Sequence, residues 1–380
     1  MLMPVLGNQL ISVQHVSVMI VALILNVRII LQDLLMFPAG FLCNRIGSRY
    51  SLCVAGAARG LGFVLFGCSS STAVLLLASV LSGIGGALFF PAALVLYTEY
   101  TDDQNRMRVF AQREVFNGIG NLVGPVIGSV LLLSGFKILC IISGLIFFLS
   151  IALVLLLIPA GSKSYGQINK TKMTYKSVLC NRNFLLSAPL VMLVTVLMNQ
   201  HAIALSVRID QIAPDYRFVG IISSVSAVVI VLLQVKSMEL LEKRFSIIEI
   251  IGLSIVFFMV GFTLIGWVDA IWGMYFGSVL CAVGTMIFVP AKNMLVIQYA
   301  PREYIAAYSG LYGLISTIGN TTIGTGFGAI YDLSVDSRYR YLPWVIILLM
   351  GTVTLVFAFG LRKRLSRLSM QVNKTDEVKT

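Results

Sequence analysis

From Val16 to Gly360 the chain is written in long apolar runs separated by short polar turns. A helix needs about 20 mostly apolar residues to cross a bilayer, and runs of that length recur. The pattern predicts spans at Val16–Leu42, Ser51–Cys68, Ala73–Tyr97, Val109–Leu133 and Ile138–Ile158. After a polar stretch it predicts Phe184–Ser206, Phe218–Met238, Ile247–Val268, Ile271–Ile297, Ala306–Tyr331 and Leu342–Gly360. Backbone groups in hydrocarbon must satisfy one another, which leaves helices or a closed barrel. The runs are too long and too uniformly apolar for the alternating pattern of barrel strands. The expected class is an all-α polytopic membrane protein.

Composition agrees. Of 380 residues 58% are hydrophobic and 12% charged, with mean hydropathy +0.93, against roughly 25% charged in a soluble domain. The formal net charge of +12 raises nucleic acid as a partner, but its distribution argues against one. If the turn around Arg45 is cytoplasmic, only Lys137, Arg208, Arg217, Arg338 and Arg340 fall in turns on the opposite side. That is the positive-inside bias. It puts the polar linker (159–183) and the C-terminal tail (362–380) in the cytoplasm. The N-terminus lacks the basic region and cleavage site of a secretory signal. The six cysteines show no metal or redox spacing and read as packing residues.

The two halves of the chain repeat. LSGIGGALFFPA (Leu81–Ala92) aligns with LCAVGTMIFVPA (Leu280–Ala291) at an offset of 199 residues. IGN at Ile119–Asn121 and Ile318–Asn320 shares that offset, as do LCNR (Leu42–Arg45) and LEKR (Leu241–Arg244). Parallel repeats of this kind mark one large transporter architecture. The predicted organisation is an N-terminal bundle at 1–158 and a C-terminal bundle at 184–361, joined by the linker. Shifting Phe184–Ser206 back by 199 runs off the start, so Met1–Leu6 reads as the end of a first helix. Eleven full spans and a stub are expected, with most of the first helix missing.

Between the first two spans lies GFLCNRIGSR, with Gly40, Arg45, Gly47 and Arg49 in register with a G-x-x-x-D-R-x-G-x-R loop. GNLVGPVIGS (Gly120–Ser129) carries Gly120, Gly124, Pro125 and Gly128 in register with G-x-x-x-G-P-x-x-G-G. On these motifs the chain resembles the major facilitator superfamily, and in particular its bacterial multidrug-resistance, drug:proton antiporter branch. The resemblance implies two pseudo-symmetric six-helix bundles and a cytoplasmic latch in the first loop. Three positions depart from the pattern: Asn44 replaces the usual Asp, Ser129 the last glycine, and Ser79 the arginine of the family's fourth helix.

The residues also speak for themselves. Gly47 suits a tight turn, and Arg45 and Arg49 could pair with Asp102 or Asp103, meet a helix C-terminus, or simply anchor topology. Gly120, Gly124 and Gly128, four apart, line one helix face for close packing, and Pro125 removes a backbone hydrogen bond. Ionisable residues inside spans are costly and mark cavities; here they are Arg28, Asp33, Arg59, Arg113, Glu114, Lys236 and Lys292. Arg28 and Gln32 share a helix face, as do Arg113 and Asn117, and Glu114 and Asn121. Asn199, Gln200 and His201 form a polar knot, and His201 is a titratable switch type. The acids within spans, Asp33 and Glu114, are the first proton-coupling candidates and His201 the next. Glu114 could equally be a structural partner of Arg106 or Lys292.

No phosphate loop, nucleophile–base pair or metal cluster is legible, so neither an enzyme nor a cofactor is expected. The expected function is proton-coupled efflux of small amphipathic compounds by alternating access. The expected setting is the bacterial plasma (inner) membrane, with substrate, proton and lipid as partners, no nucleic acid, and a monomer. Two alternatives stay open: an importer or facilitator of a metabolite on the same fold, and a transport-dead sensor or interaction protein.

Overall fold

The computed structural model describes Leu6, Leu10 and residues 18–69, 71–159, 181–212, 217–301, 304–334 and 339–377. Nearly all of the expected linker therefore lies outside the described residues, and of the expected N-terminal stub only Leu6 lies within them. Leu6 is buried in a cluster with Leu10, Ile24, Phe66 and Leu75.

Among the described residues eleven long helices follow one another: α1 (Val18–Ile46), α2 (Ser48–Cys68), α3 (Thr72–Glu99), α4 (Arg106–Leu133) and α5 (Phe136–Leu157), then α6 (Arg182–Ile212), α7 (Arg217–Glu242), α8 (Ile247–Trp267), α9 (Ile271–Tyr299), α10 (Ile305–Leu333) and α11 (Leu342–Glu377). There is no strand among the described residues. Each predicted span matches one helix within a few residues, apart from α11. That helix runs on into the expected tail, because nothing in RKRLSRLSMQ breaks it. Turns are short and built by local chemistry. Gly47 links α1 to α2 with φ +87°, and Gly135 links α4 to α5 with φ +113°, conformations open to glycine at little cost.

Among the described residues ten of these helices are long and apolar enough to cross a membrane. The exception is α10, expected as a span over Ala306–Tyr331. Its Ser, Thr and Asn residues lower its hydropathy. Their hydroxyls turn back on the helix itself, as Thr322 does in donating to Ile318 O at 2.7 Å. That lets a less apolar helix keep its polar groups satisfied. On the other helices large apolar side chains face outward: Leu156 is 81% exposed and Val356 67%. In a membrane protein such residues meet lipid.

Contacts divide the chain into two compact units. One comprises Met1–Asp102, Ile119–Val178 and Ala300–Leu314; the other comprises Asp103–Gly118, Leu179–Tyr299 and Ile315–Thr380. The units do not coincide with the linear halves, since α4 and α10 each pass from one unit to the other.

Within the first unit α2 packs on α3 and α5, and α1 on α3; within the second α8 packs on α9 and α11, and α7 on α9. Shifted by 199 residues, the first set becomes the second. The correspondence reaches single atoms. A methyl group on Gly62 would sit 2.7 Å from Ala78 O, and one on Gly261 would sit 2.7 Å from Gly277 O. Gly85 approaches Ala55 O, and its counterpart Gly284 approaches Ser254 O. The repeat in sequence is thus a repeat in packing.

This packing predicts matched costs. Gly62→Val and Gly261→Val each drive a side chain into a neighbouring carbonyl and should destabilise by about 1–3 kcal/mol. Gly360→Val, with nothing within 4 Å among the described residues, should be neutral. Thermal unfolding of the purified variants in detergent measures all three.

Candidate functional site

The loop after α1 is a tight turn held at both ends. Gly47 N donates to Cys43 O at 2.8 Å. Ser48 Oγ donates to Glu99 Oε2 at 3.0 Å, tying α2 to the end of α3. Arg49 Nη2 donates to Leu155 O at 2.7 Å, so this arginine meets the C-terminus of α5, one of the alternatives foreseen. Arg45 is exposed and Asn44 half-buried. Asp103 pairs with Arg106 of its own turn.

Gly40 lies deeper on α1. A Cβ there would fall 2.7 Å from Ala307 Cα on α10. One turn earlier Met36 approaches Gly310, where a Cβ would come 2.8 Å from Phe37 Cα. α1 and the start of α10 therefore cross with their backbones nearly touching. The repeat-related crossing, between the start of α4 and α7, is made differently. Residues 199 away from Gly40 and Ala307 are Glu239 and Arg108, and they form an ion pair at 3.0 Å. A Cβ on Gly118, nearly three turns further along α4, would meet Val231 of α7 at 3.3 Å. One crossing is closed by small residues, the other by opposite charges.

The first unit holds a polar cluster inside its apolar packing. Gln32 Oε1 accepts from Arg59 Nη2 at 3.2 Å. The Arg59 guanidinium also lies over the rings of Phe89 (5.5 Å) and Phe147 (6.0 Å), a cation–π arrangement worth more where water is excluded. Arg28, one turn before Gln32, interacts electrostatically with both Asp33 and Arg59. Gly85 and Gly86 make the room: a Cβ on either would fall within 3 Å of Arg59 atoms. In the sequence Arg59 is only one of seven ionisable residues inside spans. The paired glycines four residues after Leu81 were the signal that a bulky side chain crosses there.

In the second unit Glu114 is the centre of a charged group. Arg113 Nη1 reaches Glu114 Oε1 at 2.6 Å, Asn117 Nδ2 donates to Oε2 at 3.4 Å, and Lys292 of α9 interacts electrostatically with both Glu114 and Arg113. Asn121, expected on the same face, is exposed and two turns further along the helix. On α6 Gln200 is buried, with its Oε1 lacking a hydrogen-bond partner among the described residues, and the same is true of His201 Nε2. Asn199 is exposed and His201 half-buried, so of the expected knot of three only Gln200 is a buried residue.

The α4 motif differs from expectation at its first position. Gly120 is exposed, and among the described residues nothing comes within 4 Å of a Cβ built there; no helix packs against it. Gly124 and Gly128 are buried. Ser129 Oγ donates to Pro125 O at 2.9 Å. On α3 Ser79 is fully buried, and its hydroxyl lacks a partner among the described residues.

One cluster was missed altogether. Arg208, expected in a turn, lies in α6 with no exposed surface. It donates Nε to Ile265 O at 3.0 Å and pairs with Asp269, which also binds Arg340. These residues stand far apart in sequence at the ends of α6 and α8 and just before α11, so periodicity could not join them.

A family model described as Major Facilitator Superfamily matches residues 1–324. The multidrug resistance protein MdtH of Blochmanniella floridana is 23% identical over 341 residues, 90% of this chain and 85% of that one. The MdtH of Yersinia enterocolitica is 25% identical over 340 residues, 90% and 84% of the two chains. Among solved structures, a bacterial homologue of the iron transporter ferroportin in its outward-facing state superposes with a TM-score of 0.77 at 15% identity, over 94% of both chains. FucP in the outward conformation gives 0.73 at 16% identity, over 94% and 92%. The structural likeness shows the fold, and the family model shows the membership: the chain belongs to the major facilitator superfamily.

The Gln32–Arg59 contact is directly testable. Gln32→Leu removes an acceptor from a half-buried guanidinium, a loss of about 1.5–3 kcal/mol, and should lower the unfolding temperature in detergent, whereas Asn199→Leu on the exposed face should not.

Proposed function

We propose that this major facilitator transporter is a proton-coupled exporter of small amphipathic compounds in the bacterial plasma (inner) membrane. It works by alternating access, with the α1–α2 turn and the C-terminus in the cytoplasm. The positive-inside bias supports the orientation. The relatives named multidrug resistance proteins support export.

The observation that carries coupling is the surroundings of Glu114. The carboxylate is 13% exposed on its side chain and shares its site with two cations, Arg113 and Lys292. Ionised, it offsets them. Protonated, it leaves two like charges together in a site with little water, where repulsion is felt most strongly. Proton binding therefore changes the energy of holding α4 beside α9. The α4–α7 crossing begins less than two turns away, at Arg108. A proton arriving at Glu114 is thus well placed to loosen a contact that must part when the transporter changes sides. A cationic substrate competing for the same carboxylate would tie export to proton entry. Asp33, beside Arg28, is the second acid placed for this work, and His201 the third titratable group.

One observation favours a different substrate on the same fold. Arg28 and Arg59 face each other with Asp33 as the acid beside Arg28, an excess of positive charge that would suit an anionic solute, imported or exported.

Purified protein in vesicles with an imposed pH gradient decides between these readings. Substrate-driven proton movement should be seen with lipophilic cations and fall to the level of empty vesicles in Glu114→Gln. Asp33→Asn should reduce it. Unchanged coupling in both variants would remove the acids from the mechanism and leave His201; a response to organic anions alone would favour the second reading.

The two crossings give a further test. Arg108→Glu places like charges together and should make a cysteine at Gly118 more reactive to a membrane-impermeant thiol reagent. Adding Glu239→Arg should restore protection. Gly40→Leu, forced against backbone, should abolish transport with no such rescue.

A further inference from the structure

In the second unit α8 and α11 leave a groove of about 260 Å³ on their outward face. Its walls are apolar: Phe245, Ile248, Gly252, Val256, Leu355 and Phe359 among them. Val256 is 41% and Phe359 56% exposed, so the groove opens sideways rather than into the protein. Drug-sized ligands occupy closed clefts of about 300–1,000 Å³. A smaller slot, open along one side to hydrocarbon, has the form of a seat for a flexible chain.

The chemistry changes at one end. Glu249 sits there and is fully engaged. Its Oε2 accepts from Ser246 N at 2.8 Å and completes the cap of α8, while Oε1 pairs with Arg362 at 2.8 Å. The pair ties the two walls together at the mouth. Around it stand Lys243 and Arg244, just before Phe245, and Lys363, next to Arg362; all three are exposed. Against these four cations the nearby acids are Glu249 and Glu242, so the mouth is net positive. Arg364 and Arg367 follow in sequence.

We propose that this groove binds an anionic phospholipid, one acyl chain along α8 and α11 and the headgroup phosphate at the basic mouth. An apolar slot ending in clustered basic residues at the level of a bilayer interface matches both parts of such a molecule. Each basic side chain near an anionic lipid surface is worth about fivefold in affinity. The arrangement thus selects charge at the headgroup while the groove selects only for a chain.

The test uses the full chain, purified in detergent and examined by native mass spectrometry with phosphatidylglycerol or phosphatidylcholine added at equal concentration. One phosphatidylglycerol should be retained in preference. Replacing Lys243 and Arg244 by Gln should weaken retention by about fivefold for each charge. Val256→Trp, at an exposed lining position, should fill the groove and abolish the preference. If that variant is not monodisperse, Gly252→Val serves, since a Cβ there meets only Leu355 at an ordinary 3.8 Å. Equal retention of the two lipids, or undiminished phosphatidylglycerol binding in the filled-groove variant, overturns the proposal. So does a dimer that Val256→Trp dissociates, which would assign the groove to a second copy of the chain.

Discussion

Helices in a bilayer have no hydrophobic reason to associate, because lipid tails are as apolar as leucine. What holds this protein together is close approach at glycine. Gly62 on the Ala78 carbonyl and Gly261 on the Gly277 carbonyl bring helices near enough for backbone dispersion contacts to accumulate, each small and together large. The same economy of side-chain volume at Gly85 and Gly86 leaves a slot through which Arg59 crosses to Gln32.

Charge inside such a structure is placed rather than tolerated. Arg208 is fully buried yet has a carbonyl and a carboxylate to bind. Arg59 has an amide oxygen and two aromatic faces. Glu114 has a neighbouring arginine and an asparagine.

The spans were legible because hydropathy over about 20 residues is a one-dimensional property. The repeat was legible for a similar reason: a fixed offset needs no knowledge of contacts. Even α10, the most polar of these helices, was predicted as a span at Ala306–Tyr331, and IGN at Ile318–Asn320 ties it to α4 in the repeat. The site was less accessible. Arg28 and Gln32 could be put on one face by helical period, but their meeting with Arg59 depends on which way α2 rotates, and that is set by glycines on α3. Asp269 needed three distant segments to converge. Gly120 read as a packing residue, since spacing shows that a face is small but not whether a helix lies against it.

The two repeat-related crossings are chemically unlike. Gly40 with Ala307 is held by contact alone, whereas Arg108 with Glu239 is held by an exposed ion pair. Dissolved ions screen the second and leave the first untouched, over a distance of about 8 Å at physiological ionic strength. Two contacts at repeat-related positions therefore differ in whether the salt content of their surroundings weakens them. A rise in salt concentration would weaken the Arg108–Glu239 contact and leave the Gly40–Ala307 contact as it is.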